Sequence, residues 1–406
     1  MNRTNAGANL PALRSHNTAL VLDLLRTAGP GGISRLELAE RTGLTPQAVS
    51  KITGRLREEG LAAEAGRRAS TGGKPRTVLR LVPEAGHAVG VHLDRDELRA
   101  VLVDLDGAVV GERCAPMDLG AGAEAVVAGV ARVAGELVPE GPAAGAQVPA
   151  ARSRPVLGLG VALPGPLDHL RGVLHRVTGF PEWDGFPLRD ALAERLGLPV
   201  VVDKDTNAAA LGLAVRDTGP AVRRSGGREA GAAAHGPAVR DVNAAAPGPA
   251  VADESASFAY LHLGTGLGAG LVIGGVVHRG ARTGAGEFGH QVVQLDGPVC
   301  GCGNRGCIEA LCLAAVRRGD VAEAARVLGV GAANLVALLD IDLVLLGGRT
   351  VAAAPEAFAA GVRTVLRERA RGEAAVPVRI ASGGARGVAE GAAQLVLAPL
   401  FGRAEG

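Results

Sequence analysis

The stretch that most constrains the fold lies at residues 34–57, where two helix-start signals flank one glycine. Ser34 and Glu37 form a capping box, in which the serine hydroxyl accepts from a free helical N–H and the glutamate accepts from the N–H of the serine. Gly43 breaks this first helix. Thr45 is a good N-cap for the next helix, and a proline follows at the first helical position, where its missing N–H costs nothing. The spacing predicts a helix-turn-helix.

The second helix of this pair has an apolar face and a polar face. Val49, Ile52 and Leu56 recur at intervals that place them on one core-facing stripe. The opposite face carries Gln47, Ser50, Lys51 and Arg55. A helix of this kind lays its N-terminal residues in the DNA major groove. We therefore expect the first two side chains to reach base edges and the two cations to contact phosphates.

Residues 61–82 follow as two short strand-like pieces around a turn rich in Gly, Ser and Arg, which is typical of the wing of a winged helix. Its candidate DNA-binding side chains are Arg67, Arg68, Lys74 and Arg76. Residues 1–80 hold 13 Lys and Arg against 6 Asp and Glu, a net charge of +7, whereas the remainder holds 30 against 35, a net charge of −5. A basic head on an acidic body is typical of nucleic-acid binding. The alternative is a small helical domain with a solvated basic surface.

Beyond a boundary at Pro83 to Gly86, strand-like and helical segments alternate, which predicts an α/β body of two lobes. We expect the winged helix-turn-helix to span 1–82, the first lobe 83–210 together with a C-terminal helix at 385–406, and the second lobe 211–384. Residues 139–155 are expected to form a flexible loop. Residues 216–254, rich in Ala, Gly, Pro and Arg without periodicity, are expected to be disordered. The chain shows neither a signal peptide nor a run of 18 uncharged apolar residues, so a cytoplasmic location without a membrane is expected.

Three of the five cysteines lie within eight residues, as Cys300, Cys302 and Cys307, and His290 lies ten residues upstream. In a cytosolic chain such a cluster indicates a metal more than disulfides. Three thiolates and one imidazole complete a tetrahedral structural zinc site with no open position. The alternative is a set of buried thiols with an unrelated histidine.

Several motifs together resemble the ROK family (repressors, open reading frames and sugar kinases). They are GAGEFGH followed by CGCGNRGCIEAL, and the stretches at 160–168, 203–212, 264–270 and 344–351. The head with its GGKPR wing resembles the repressor branch. The resemblance implies an actin-like, ribonuclease-H-like sugar-kinase fold of two lobes behind the winged helix-turn-helix. It also implies a sugar in the cleft, zinc that shapes the sugar loop and, in the kinases, ATP.

Carried over by position, Asp205 matches the family's catalytic base, which in kinases takes the proton of the sugar hydroxyl. Glu287, His290 and Glu309 match residues that hydrogen-bond sugar hydroxyls, and His290 would use its second ring nitrogen on zinc. Lys204 stands where the family usually has a sugar-binding asparagine, and its charge would favour a phosphorylated or acidic sugar. A neutral sugar held differently and a site with no ligand are the alternatives.

The phosphate loop of the kinases is degenerate in this chain. Alignment places His92, Asp94, Arg95 and Asp96 at the four defining positions of the Asp-x-Gly-Gly-Thr motif. The glycines that let backbone N–H groups approach a phosphate are gone, and two added carboxylates would repel it. ATP and catalysis are therefore not expected. The segment between Glu309 and a strand read in LVALLDIDLVLLGG is short, which suggests that a helix or two of the second lobe is missing.

These features predict a DNA-binding transcriptional regulator, a repressor rather than an activator. Its partners would be a double-stranded operator, a sugar or sugar-phosphate effector and a second copy of the chain, as a homodimer or higher homo-oligomer. Two alternatives remain open at this point: an ATP-dependent sugar kinase with a DNA-binding head, and a dimerisation scaffold without a ligand.

Overall fold

The structure, a computed structural model, describes residues 16–70, 73–138, 155–177, 180–217, 257–370 and 375–403. The loop predicted at 139–155 and the disordered stretch predicted at 216–254 lie almost wholly outside these ranges. In the wing, side chains are described up to residue 66 and from residue 76 onward.

The N-terminal head is a winged helix-turn-helix, as the spacing predicted. Its elements are α1 (His16–Thr27), β1 (Ile33–Ser34), α2 (Arg35–Thr42), α3 (Pro46–Glu58), β2 (Ala62–Ser70) and β3 (Gly73–Leu81). Both hydrogen bonds of the Ser34–Glu37 capping box form, and the Thr45 side chain caps α3 by accepting from Ala48 N. Gly43 takes the left-handed conformation between the two helices, a backbone state that glycine adopts at little cost. The three strands pair in the order β1-β3-β2.

The first sheet of the body has five strands in the order β10-β7-β4-β5-β6. These strands are β4 (His87–Leu93), β5 (Glu97–Asp104), β6 (Val109–Pro116), β7 (Val156–Leu163) and β10 (Val200–Lys204). The short strands β8 (Leu167–Asp168) and β9 (Val173–Leu174) and the helices α4 (Ala123–Leu137) and α5 (Leu188–Leu196) complete this part. The strand β6 is mostly exposed or half-buried, and its sequence lacks a regular apolar alternation.

The second sheet has the order β13-β12-β11-β14-β15. Its strands are β11 (Phe258–Leu263), β12 (Leu267–Ile273), β13 (Val276–Val277), β14 (Leu343–Gly347) and β15 (Val378–Ile380). Its helices are α7 (Ile308–Arg317), α8 (Val321–Leu339), α9 (Arg349–Ala353) and α10 (Pro355–Arg369). The prediction that LVALL at 335–339 belongs to a strand was wrong: these residues continue α8, and only the part from Leu343 is a strand.

Helix α8 is long and apolar enough to cross a membrane by length and composition alone. Half of its most apolar window is buried inside the protein. Residues of α8 such as Leu328 and Ala332 share a buried apolar cluster with Val362 of α10. These contacts are those of a core helix that packs a second helix on one side of the sheet.

Two helices join the sheets and the head. Helix α6 (Asp205–Asp217) starts directly after β10 and packs against α11 (Gly387–Leu397). The two helices lie so close that a Cβ atom at Gly391 would be 1.9 Å from Ala208 O, so glycine is needed at this position. The turn that follows α11, Ala398–Phe401, packs on α1 of the head. Arg26 of α1 lies over the Phe401 ring, with 5.0 Å between its Cζ and the ring centroid. Head and first lobe therefore share one buried core.

Candidate effector cleft, metal cluster and DNA-binding face

The turn between β10 and α6 is held by the buried carboxylate of Asp203. Its Oδ1 accepts from the backbone N–H of Lys204 at 2.7 Å and from Asn207 Nδ2 at 2.9 Å. Its Oδ2 accepts from Arg279 Nε at 2.7 Å, and both side chains of this ion pair are almost fully buried. Asn207 thus holds the loop, and the turn fixes where Lys204 and Asp205 enter the cleft.

A cavity of about 90 Å³ opens between the two sheets at this turn. All five predicted substrate-binding residues line it, namely Lys204, Asp205, Glu287, His290 and Glu309. Asp94, Arg95, His262 and Thr265 also line it. Sequence reasoning placed the first two of these in the phosphate loop and assigned no role to His262. Asp94 and Arg95 lie in the cleft because the antiparallel turn between β4 and β5 carries them there. No local sequence motif reveals this placement.

Lys204 is 4% exposed, and its Nζ donates to Glu287 Oε1 at 3.1 Å and to Ala285 O at 2.5 Å. A Cβ at Gly165 would lie 2.8 Å from Lys204 Cδ, so this glycine leaves room for the lysine stem. The sequence suggested that the charge of Lys204 would favour a phosphorylated or acidic sugar. In the structure, a carboxylate of the same cavity already neutralises it.

Glu309 and His290 connect the cavity to the cysteine cluster. Glu309 Oε2 accepts from Leu267 N at 2.9 Å, and its Oε1 lies 3.8 Å from Cys300 Sγ. His290 Nδ1 lies 3.7 Å from the same sulfur. Because both side chains contact the cluster, its geometry sets the direction in which they face the cavity.

His290, Cys300, Cys302 and Cys307 together form a group that could hold a metal ion. Their ligand atoms all lie within 4.8 Å of one another. A tetrahedral zinc site with Zn–S bonds of about 2.3 Å has S–S edges of about 3.8 Å. The Sγ atoms of Cys302 and Cys307 are 3.7 Å apart, which fits this spacing. Burial is the main cause, and a hydrogen bond with Cys302 the second, that raises the pKa of the Cys307 thiol to about 12. A bound cation would favour the thiolate form instead.

The degenerate phosphate loop is linked to the opposite lobe by Arg349, from the GGRT motif. Its Nη1 and Nη2 atoms lie 3.0 and 2.7 Å from the two carboxylate oxygens of Asp96, and Nη2 lies 3.1 Å from Asp94 Oδ2. Thr265 Oγ1 also donates to Asp94 Oδ1 at 2.9 Å. We call the contacts of Arg349 with Asp94 and Asp96 the Arg349 bridge. It pairs both carboxylates of the degenerate loop with one guanidinium group of the other lobe.

His92, the first residue of the degenerate motif, is 9% exposed. Burial lowers the pKa of its imidazole, while the nearby Asp205 carboxylate opposes that shift. The neutral imidazole is therefore the favoured form near pH 7.

On the head, Gln47, Ser50 and Lys51 are exposed on α3, where the helix-turn-helix spacing placed them. Arg55 instead turns toward α1, where its Nη2 donates to Thr18 Oγ1 at 2.7 Å. Arg76 is exposed at the base of the wing, and the side chains of Arg67, Arg68 and Lys74 lie outside the described residues. The DNA contacts of this face remain predictions, and for Arg55 the internal hydrogen bond would compete with a phosphate.

Fold and site together define a sugar-kinase-like body of two lobes behind a DNA-binding head. The ROK family profile matches residues 146–223 and 237–318, and a winged helix-turn-helix DNA-binding profile matches residues 28–62. The chain therefore carries a ROK family domain with an N-terminal winged helix-turn-helix.

Curated relatives and solved structures agree with this assignment. The chain is 27% identical over 277 residues to the xylose repressor of Caldicellulosiruptor bescii, covering 68% of this chain and 59% of the relative. It is 28% identical over 308 residues to the DNA-binding transcriptional dual regulator NagC of Escherichia coli, covering 75% and 64%. The chain thus spans about three-fifths of the length of these two relatives.

Two solved structures share the fold. The ROK hexokinase from Thermus thermophilus is 29% identical, with a TM-score of 0.54, over 76% of this chain and 96% of that one. A ROK family transcriptional regulator described as a homologue of the E. coli MLC protein is 20% identical, with a TM-score of 0.68, over 95% and 97%. The second match extends across the head as well as the body.

Proposed function

We propose that this protein is a DNA-binding transcriptional repressor whose ROK domain binds a neutral sugar without phosphorylating it. One observation carries the proposal: a single cavity gathers Asp205, Glu287, His290 and Glu309, while the adjoining phosphate loop is paired with Arg349. The relatives named as repressors support the regulatory role. The similarity to a hexokinase supports the sugar as ligand, and the Arg349 bridge argues against phosphoryl transfer from ATP.

The charge of the cavity favours a neutral sugar over a sugar phosphate. Four carboxylates line it, on Asp94, Asp205, Glu287 and Glu309, against the two cations Arg95 and Lys204. Because Lys204 is already paired with Glu287, a phosphate would meet uncompensated negative charge. Sugar hydroxyls, in contrast, can donate to these carboxylates.

The packing supplies a route from the sugar to the DNA. Asp205 in the cavity begins α6, α6 packs against α11, and the Ala398–Phe401 turn after α11 packs on α1. Arg403 Nη2 also lies 3.9 Å from Asp23 of α1. A sugar that binds one lobe arrangement better than another would shift the position of the head. In a homodimer, this shift would change the match of two heads to half-sites one helical turn apart.

We propose zinc as the metal of the His290–Cys307 cluster, in a structural role that orients His290 and Glu309 toward the sugar. Cysteine and histidine donors at tetrahedral spacing suit zinc better than magnesium or calcium, which prefer oxygen. A DNA-binding repressor acts in the cytoplasm, so we propose that location.

Two assays on the full-length protein test this proposal. Isothermal titration with a panel of neutral monosaccharides and their phosphates should show binding of one neutral sugar, at least about tenfold tighter than its phosphate. A coupled ADP-release assay with the same sugar and ATP should show no turnover above the background without protein. Preferred binding of the phosphate, or steady ADP release, would each refute the proposed function.

A further inference from the structure

A second cavity, of about 180 Å³, lies along β10, the edge strand of the first sheet. Val277 and Arg279 line it from the second lobe, and Ala398, Pro399 and Arg403 line it from the C-terminal segment. The turn that begins this segment packs on α1 of the head. Among the described residues, none lines both this cavity and the sugar cleft. The cavity is therefore a separate space, at the junction of both lobes and the head.

The lining of this cavity carries an excess of positive charge. Its described residues include three arginines, Arg189, Arg279 and Arg403, and one carboxylate, Asp203. Asp203 and Arg279 form the buried ion pair described above, with 2.7 Å between their atoms. Arg189 and Arg403 are left as two positive charges that no carboxylate of the described lining balances. A concave surface with this excess attracts anions.

The carboxylates that contact Arg189 and Arg403 lie outside the described lining. Arg189 Nε lies 2.9 Å from Asp190 Oδ1, but these side chains are 35% and 65% exposed, and such a surface pair contributes little to stability. Arg403 Nη2 lies 3.9 Å from Asp23 Oδ1, an oxygen that Arg26 contacts at 2.7 Å. Asp23 thus keeps a partner when Arg403 turns toward the cavity, so an anion can recruit both arginines without stranding a buried charge.

We propose that this cavity is a binding site for a small organic phosphate. The guanidinium groups of Arg189 and Arg403 would donate to the phosphate oxygens, for which their planar fork of N–H groups is well suited. Leu211, Val277 and Leu395 supply an aliphatic wall, where burial of a short carbon skeleton is favourable. The ligand class is thus a phosphate ester of a few carbon atoms.

The position of the cavity couples it to the head. Arg403 contacts Asp23 of α1, so an anion that draws Arg403 into the cavity competes with a contact between body and head. By thermodynamic linkage, DNA and the anion then change each other's affinity by the same factor. This coupling to DNA rests on the proposed function, whereas binding of the anion itself does not.

Isothermal titration of the full-length protein with glycerol 3-phosphate, glycerol and inorganic phosphate tests the proposal. We expect glycerol 3-phosphate to bind at least about tenfold tighter than either of the other two. Glycerol that binds as tightly as its phosphate would exclude recognition by the arginines. Inorganic phosphate that binds as tightly as the ester would exclude a contribution from the aliphatic wall. Either result overturns the proposal.

A matched pair of variants on α5 locates the site. Arg189→Gln removes one cation of the lining and should weaken glycerol 3-phosphate binding at least about tenfold. Arg195→Gln makes the same change at an exposed residue of the same helix outside the described lining, and it should bind as the wild type does. Equal effects of the two variants would overturn the assignment.

A third variant tests the competition for Arg403. Asp23→Asn weakens the contact that holds Arg403 at the head and should strengthen glycerol 3-phosphate binding, and an unchanged affinity would overturn the coupling to the head. Neither Arg189 nor Asp23 lines the sugar cleft, so both variants should bind the neutral sugar as the wild type does. Failure at this site and failure of the proposed function are therefore distinguishable.

Discussion

The Nζ atom of Lys204 lies 3.1 Å from Oε1 of Glu287, inside a cavity that both residues line. The lysine side chain is 4% exposed and the glutamate side chain 46%. The buried lysine therefore holds the half-exposed carboxylate of Glu287 in one orientation. Because Glu287 is half exposed, the pair itself adds only about 1 kcal/mol or less to the free energy of unfolding. Its main effect is on which ligand binds: the paired lysine no longer attracts a sugar phosphate, and the oriented carboxylate can accept from the hydroxyls of a neutral sugar.

Replacement of Lys204 by methionine should weaken binding of the neutral sugar by roughly tenfold, the value of about one charge-assisted hydrogen bond. The methionine keeps the length of the stem but leaves the Glu287 carboxylate without its orienting donor. Isothermal titration measures the change. Lys51→Met, the same substitution in the head, should leave sugar affinity as in the wild type, and a Lys204→Met protein with unchanged affinity would contradict this role.

Loss of one thiol from the metal cluster should release the metal and lower thermal stability. Cys302→Ser removes a ligand atom that lies 3.7 Å from Cys307 Sγ. We expect the purified variant to contain less than half the zinc of the wild type by atomic emission, a lower melting temperature and a weaker sugar response. Cys114→Ser alters an exposed cysteine outside the cluster and serves as the control. Full zinc content in Cys302→Ser would refute the ligand assignment.

Lys51 on α3 is expected to contact a DNA phosphate. Lys51→Ala should weaken binding to all DNA sequences alike and reduce the slope of log affinity against log salt by about one unit. Gln47→Ala, in contrast, should change the relative affinities for different sequences. Arg132→Ala, on an exposed arginine of α4 in the body, is the control. A Lys51→Ala protein with the wild-type salt slope would exclude a phosphate contact at this position.

Buried His92 should make stability depend on pH. Because burial lowers its pKa in the folded protein, the unfolded chain binds a proton first as the pH falls below about 6.5. His92 therefore contributes stability that is complete above pH 6.5 and is lost as the pH falls toward the folded-state pKa. Urea unfolding at pH 7.5 and 5.5 should show a smaller loss for His92→Gln than for the wild type, and equal losses would contradict the assignment.

Local chemistry made the head predictable. The capping box at Ser34, the left-handed Gly43 and the Thr45 cap are each satisfied within a few residues, so the sequence alone determines them. The grouping of His290 with the three cysteines was predictable in the same way, since three of the four residues lie within one loop. Chain-end contacts were not predictable, because the packing of Phe401 on Arg26 joins residues from opposite ends of the chain.

The parts of the site that sequence reasoning missed depend on tertiary contacts. Arg349 meets Asp96 across 253 positions of the chain, and no motif signals that pairing. Lys204 was read as a free cation because Glu287, its partner, is 83 residues away. The assignment of 335–339 to a strand failed because a short apolar run fits a buried helix and a buried strand equally well.

Operator binding in the presence of sugar tests the central claim most directly. DNA fragments selected in vitro by the full-length protein would be titrated at fixed salt, with and without each neutral monosaccharide of the panel. We predict that one sugar weakens DNA binding at least about tenfold in the wild type and has no effect in Glu309→Gln, whose DNA affinity without sugar is unchanged. DNA binding that responds to no sugar in the panel, or a response of the same size in Glu309→Gln, would contradict the account.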